Sequence, residues 1–226
     1  EQLPGRTDAL YIVGDLFDFW FEYATVIPRR AFDTLAVLQR LRKAGIAITY
    51  LNGNHDFWLG RFLEEHLDLR THDGPLTIER DGRRLWIHHG DGLIGGGHGY
   101  KAPRAVIRHP LAIRLYQLVH PDLAIPLATR VSHWSRGSRE ERQFDGDRLW
   151  REIAVPRFQQ GSDAVLIGHF HHAYERRENG REFFVLGDWI DRFRDWARSK
   201  RPIMFDLVRI YLGVALFVKG MQFVSQ

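Results

Sequence analysis

Four times along this chain an apolar, strand-forming stretch stops and a turn follows that holds a glycine beside a histidine, an aspartate or an asparagine. The run 8–13 gives way to Gly14 and Asp15, and the run 46–51 to Asn52, Gly53, Asn54, His55 and Asp56. The run 84–88 leads into His89, Gly90 and Asp91, and the run 163–167 into Gly168, His169, Phe170, His171 and His172. Short apolar runs bounded by turn residues read as buried strands. Between the first two runs, Pro28 opens a stretch with Phe32, Leu35, Leu38 and Leu41 at helical spacing, and Gly45 stops it. Strand, helix and strand in that order predict parallel pairing. Loops at the carboxyl ends of parallel strands open on one crevice. The pattern therefore predicts that Asp15, Asn54, His89, His169 and His171 share a pocket.

Asp81-Gly82 and Asn179-Gly180 are hairpin turn signals. Residues 100–160 read as mainly helical, after a glycine run at 95–97. His88 is expected on the opposite face of its strand from His89, because successive strand residues alternate sides.

The chain has no cysteine, which excludes disulfides, thiolate metal sites and a cysteine nucleophile. Any metal must be held by nitrogen and oxygen. One carboxylate, one amide oxygen and three imidazoles suit Mn²⁺, Fe or Zn²⁺ better than Ca²⁺, which takes oxygen ligands. Glycines 14, 53, 90 and 168 would let the backbone come close. Singly, each feature has a plain structural explanation: Gly-Asp after a strand is commonly a turn, and asparagine tolerates the left-handed conformation. The ordered set of four does not.

The net charge of +4 and pI of 9.6 point toward an anionic partner: a phosphorylated small molecule, nucleic acid or an acidic membrane surface. Lys101, Arg104, Arg108, Arg114, Arg130, Arg136 and Arg139 meet few acidic residues, and Leu111, Ile113, Leu115, Leu118, Val119, Leu123, Ile125 and Leu127 lie among them. An amphipathic helix packed on the core would look like this. So would a surface for a ligand with phosphates at one end and acyl chains at the other. The end of the chain, from Ile203, is more apolar than the rest, but Asp206, Arg209 and Lys219 interrupt it. A spanning helix needs about 20 mainly apolar residues.

Gly14-Asp15, Gly53-Asn-His-Asp56, His89-Gly-Asp91 and Gly168-His-Phe-His171, in this order, resemble the motifs of the calcineurin-like metallophosphoesterases. The resemblance spans residues 8 to about 190. It implies an α/β fold, a four-layer αββα sandwich with a helical cap insertion at about 100–160, and two divalent metal ions, Mn²⁺ with Fe or Zn²⁺ as alternatives. Asp15 would bridge the metals, Asn54, His89 and His169 would complete one site, and His171 would belong to the other. His55 would act on the leaving group, with Asp56 and Asp91 orienting neighbouring imidazoles. Gly14-Asp-Leu-Phe-Asp-Phe-Trp20 and Gly90-Asp-Gly-Leu followed by Gly99-Tyr100 are similar to the UDP-2,3-diacylglucosamine diphosphatases of lipid A biosynthesis. That likeness implies an anionic acylated nucleotide-sugar substrate rather than nucleic acid. It also implies a cytoplasmic protein held peripherally at the inner-membrane surface, and Tyr100, Arg104 and Arg136 as substrate contacts. The family's opening Asp-x-His motif does not precede Asp15. The expectation is a domain over 1–190 lacking its first strand, one metal site better furnished than the other, and possible loss of activity in the chain as given. Residues 191–226 are expected to form an atypical tail with an apolar helix from about 203. The competing readings are another phosphoesterase of the superfamily and a degenerate metal scaffold that binds lipid.

Overall fold

A computed structural model of the chain describes residues 3–94 other than 6 and 18, residue 106, and residues 108–135 and 144–187, without the side chains of 129 and 131–135. Strand β1 (Ala9–Val13) turns Leu10 and Ile12 to one side and Tyr11 and Val13 to the other. Helix α1 (Phe32–Lys43) follows a single 3-10 turn and buries Leu35, Val37, Leu38 and Leu41 against Leu10 and Ile12. Its last turn carries Arg40, Arg42 and Lys43, whose charge suits the negative end of a helix. The chain then re-enters as β2 (Ala47–Leu51), parallel to β1 with Val13 opposite Leu51. After α2 (Phe62–Leu67), β3 (Arg70–His72) joins β2 in parallel and completes a three-stranded sheet, order β1-β2-β3.

The second sheet begins with the hairpin β4 (Leu76–Arg80) and β5 (Arg83–His88) at Asp81-Gly82. β6 (Ala164–Ile167) lies parallel to β5, and the hairpin β7 (Ala173–Glu178) and β8 (Arg181–Leu186) closes the order β4-β5-β6-β8-β7. Alternation along these strands builds the layers. Leu85, Ile87, Ala164, Leu166, Phe184 and Leu186 face Val13 and Leu51 of the first sheet. Trp86, Val165, Ile167, Phe183 and Val185 face outward onto Leu149, Trp150, Ile153 and Ala154. Those four belong to α5 (Gly146–Leu149) and a π-helical turn (Trp150–Ala154), which continues into α6 (Val155–Gln159). Helices, sheet, sheet and helices stack as the four expected layers. Each fully buried Leu, Ile or Phe contributes roughly 1.5–3 kcal/mol, so packing between layers fixes these elements more firmly than local propensity does.

Helices α3 (Pro110–Gln117) and α4 (Pro121–Ser135) stand outside this stack. Their buried residues Ile113 and Ala124 pack on Phe21 and Tyr23, in the loop that continues from Asp15. Tyr116 meets Phe21 edge-on at 4.6 Å, and Gln117 Nε2 donates to the Glu22 carbonyl at 3.2 Å. Within the expected insertion, residues 108–135 form the helical cap, while 146–159 belong to the fourth layer. The tail from 191 and residues 95–105 lie outside the described residues. Among the described residues no helix is long and apolar enough to cross a membrane.

Candidate metal centre

β1, β2, β5 and β6 end at the same edge of the two sheets, and the polar residues after them meet there. The turn after β1 is sharp: Gly14 has φ +75° and Asp15 φ +52°. His169, after β6, has φ +67°. A non-glycine residue held in the left-handed region costs on the order of 1–3 kcal/mol, so the surroundings must hold it there. For Asp15 the restraint is Asp56, which is completely buried. Its carboxylate accepts from the backbone N–H of Asp15 (3.1 Å), Leu16 (3.0 Å) and Gly53 (2.7 Å), and from the Tyr50 hydroxyl. One side chain thereby ties the loop after β1 to the loop after β2. Burial, with the Asp15 carboxylate adding to it, pushes the Asp56 carboxyl up to about 6. Asp56 was expected to orient an imidazole. Its partners are backbone amides and a tyrosine instead, because the motif loop folds the carboxylate inward beneath its own turn.

His89 is buried, and Nδ1 lies 2.9 Å from the Val13 carbonyl. A carbonyl only accepts, so Nδ1 carries a proton. Nε2 then faces Asn54 Oδ1 at 2.9 Å and Asp15 Oδ2 at 3.2 Å. His169 Nδ1 reaches the same Asn54 Oδ1 at 2.9 Å. With neutral imidazole, a nitrogen lone pair of His89 would point at two oxygen lone pairs. Two states remove the conflict: an imidazolium, or a cation among the four atoms. Burial alone would lower the pKa of His89, but the Asp15 carboxylate overrides it, with Asp91 contributing, and pushes it up to about 9. Burial likewise opposes ionisation of Asp15, and the His89 and His55 charges overcome it, holding that carboxyl well below the usual range. Asp15, His89 and His169 each present a ligand atom within 4.8 Å of the others. With Asn54, the donor set is two nitrogens and two oxygens, and His89 already makes the backbone hydrogen bond from its far nitrogen that metal-ligating histidines use. The residues fit a divalent cation of the Mn²⁺, Fe or Zn²⁺ class.

Glycine makes this convergence possible at two positions. A Cβ on Gly14 would run into the His89 ring, and one on Gly53 into the Asp15 carboxylate. The glycines thus admit neighbouring side chains. His55 donates its N–H to Asp15 Oδ1 at 2.9 Å, and its carbonyl accepts from the Trp20 N–H at 3.3 Å. Asp91 is buried, and its charge favours the His89 imidazolium. His171 is exposed and is not among the three residues whose ligand atoms gather there. His88 stacks on Trp86 (5.5 Å, 8°), facing away from the site. Tyr100, Arg104 and Arg136 lie outside the described residues.

Three participants carried no sequence signal of their own: the Val13 carbonyl, the Tyr50 hydroxyl and the Arg108 guanidinium, which donates to the Gly53 carbonyl at 3.4 Å. Tyr50 could have been marked, since alternation along β2 turns it inward with Ile48 while its hydroxyl needs a partner.

No family model matches the chain. It is 31% identical over 219 residues to a UDP-2,3-diacylglucosamine hydrolase from Porphyromonas gingivalis, covering 87% of this chain and 82% of that protein. It is 30% identical over 211 residues to the protein of the same name from Stenotrophomonas maltophilia, covering 85% and 82%. Among solved structures, Vps29 from Entamoeba histolytica, as a single mutant, overlaps with a TM-score of 0.36 at 15% identity (80% of this chain, 73% of that one). Phosphopantetheinyl hydrolase from Mycobacterium tuberculosis overlaps with a TM-score of 0.37 at 14% identity (85% and 82%). These overlaps are partial, and the layer order rests on the strand pairing itself.

Proposed function

The chain belongs to the UDP-2,3-diacylglucosamine hydrolase family of calcineurin-like metallophosphoesterases, and we propose that it cleaves the pyrophosphate of UDP-2,3-diacylglucosamine to UMP and 2,3-diacylglucosamine 1-phosphate, a step of lipid A biosynthesis. The observation that carries this reading is the meeting of Asn54 Oδ1 with His89 Nε2 and His169 Nδ1, beside Asp15. Asp15, Asn54, His89 and His169 would hold one cation, Mn²⁺ in the first instance, and Asp15 with His171 would hold a second. Cations held there would supply charge neutralisation for phosphoryl oxygens and would lower the pKa of a bound water. The side chains do the rest. Asp15 stays ionised across the working pH range. Val13 keeps the His89 ring turned so that Nε2 faces the centre. His55, anchored through its backbone to Asp15 and Trp20, is assigned to stabilise or protonate the leaving group. Tyr100, Arg104 and Arg136 are assigned to the substrate on sequence alone.

The acylated end of such a substrate sits in a bilayer, and the cap supports a peripheral, cytoplasmic-face attachment there. Leu111 and Leu115 on α3, Leu118 at its C-terminal cap, and Leu123 and Leu127 on α4 are all turned to solvent, Leu118 at 82% exposure. The test is Mn²⁺-dependent release of UMP from UDP-2,3-diacylglucosamine, with Asn54→Ala and His89→Ala as controls. Release by the unaltered chain and its loss in both variants is the expected result. Hydrolysis of simple phosphate esters without UMP release would keep the family's chemistry and discard this substrate.

A further inference from the structure

Arg108 stands at the root of the cap, 55 residues from Gly53, yet its guanidinium returns to the loop after β2. Nη2 donates to the Gly53 carbonyl at 3.4 Å, and the guanidinium carbon lies 5.6 Å from the centroid of the Phe57 ring. Nη1 is 3.5 Å from the Asp73 carboxylate in the turn after β3. The side chain is 24% exposed and Asp73 75%, so none of these contacts is strong by itself. A planar fork can make all three together, which an ammonium cannot.

What the fork touches gives it its interest. Gly53 is closely confined, since a Cβ there would run into the Asp15 carboxylate and its N–H is bound to Asp56. Its carbonyl cannot swing away without disturbing Asn54, the next residue, whose Oδ1 lies between two imidazoles. We infer that Arg108 is a positioning residue, clamping the Gly53–Asn54 turn to the root of the cap and so fixing Asn54 in the metal centre. The inference rests on the metal-centre reading above, and the two can be separated.

The comparison is between the unaltered chain, Arg108→Ala, Arg108→Lys and a control, Arg40→Ala, which removes an exposed charge from α1. Two quantities are read: amide hydrogen exchange of residues 53–57 in metal-free protein, and Mn²⁺ affinity by calorimetric titration. Arg108→Ala should speed exchange in that segment roughly fivefold and weaken Mn²⁺ binding about tenfold. Lysine should fall between, and Arg40→Ala should match the unaltered chain. A purely electrostatic role predicts the opposite sign, because removing a positive charge beside a cation site tightens cation binding. Unchanged exchange, or unchanged or tighter Mn²⁺ binding, in Arg108→Ala overturns the clamp. If Mn²⁺ binds and weakens as expected but no protein releases UMP, the substrate assignment fails and the clamp stands. If the unaltered chain takes up no Mn²⁺, the metal reading fails and the exchange comparison alone decides.

Discussion

Asn54 Oδ1 lies 2.9 Å from a nitrogen of each of two imidazoles, and the chemistry of the centre turns on which of these nitrogens holds a proton. Against the opposing effect of burial, the Asp15 carboxylate pushes His89 up from its ordinary 6.5 to about 9. A raised histidine pKa adds stability that is complete below about 6.5 and is lost as pH climbs through 9. Metal-free protein should therefore lose on the order of a few kcal/mol between pH 6.5 and 9, followed by urea denaturation. Asp56, also raised, gives up its share lower, between about 4 and 6. Bound Mn²⁺ displaces the His89 proton, so the Tm gain from Mn²⁺ should grow from pH 6 to pH 9. A gain that shrinks with rising pH would count against His89 as a ligand. Gly53→Ala is the steric counterpart. The added Cβ meets the Asp15 carboxylate, so it should cost about 1–3 kcal/mol and weaken Mn²⁺ binding measurably by calorimetry.

At the scale of elements, Asp56 adds to the pairing of β1 and β2 by tying together the loops that follow them. Asp56→Ala would leave three backbone N–H groups and the Tyr50 hydroxyl without their acceptor, at about 1–3 kcal/mol for each left unsatisfied. Unfolding in urea should show several kcal/mol lost, with Asp56→Asn losing less because one oxygen still accepts. β1, β2, β5 and β6 were legible from their apolar runs, and the hairpins from Asp81-Gly82 and Asn179-Gly180, because those signals are local, whereas β3, Arg-Thr-His, carries no such run. The inward turn of Asp56 was not legible. A carboxylate in a Gly-Asn-His-Asp loop has no sequence mark that separates a backbone anchor from an imidazole partner, and burial between two loops decides it.

At the scale of the molecule, the cap leans on the same strap, residues 19–23, that continues from Asp15, while its leucines face away from the sandwich. Serine at Leu115, Leu118 and Leu123 together should lower binding to anionic vesicles roughly tenfold with Tm unchanged, since these side chains are already exposed. Equal vesicle binding would remove the cap from the membrane reading. The strand runs, the helical spacing of 32–41 and the four polar strand ends are short-range patterns, and with them the sequence by itself determined the parallel βαβ unit, the hairpins and the chemical types of the donor set. Only the tertiary structure decided that Asp15, Asn54, His89 and His169 come together. It alone also decided that Val13 sets the His89 ring and that Arg108 reaches Gly53. Each of these depends on how two sheets stack and how left-handed turns aim their side chains, and such distances arise only when the whole chain packs.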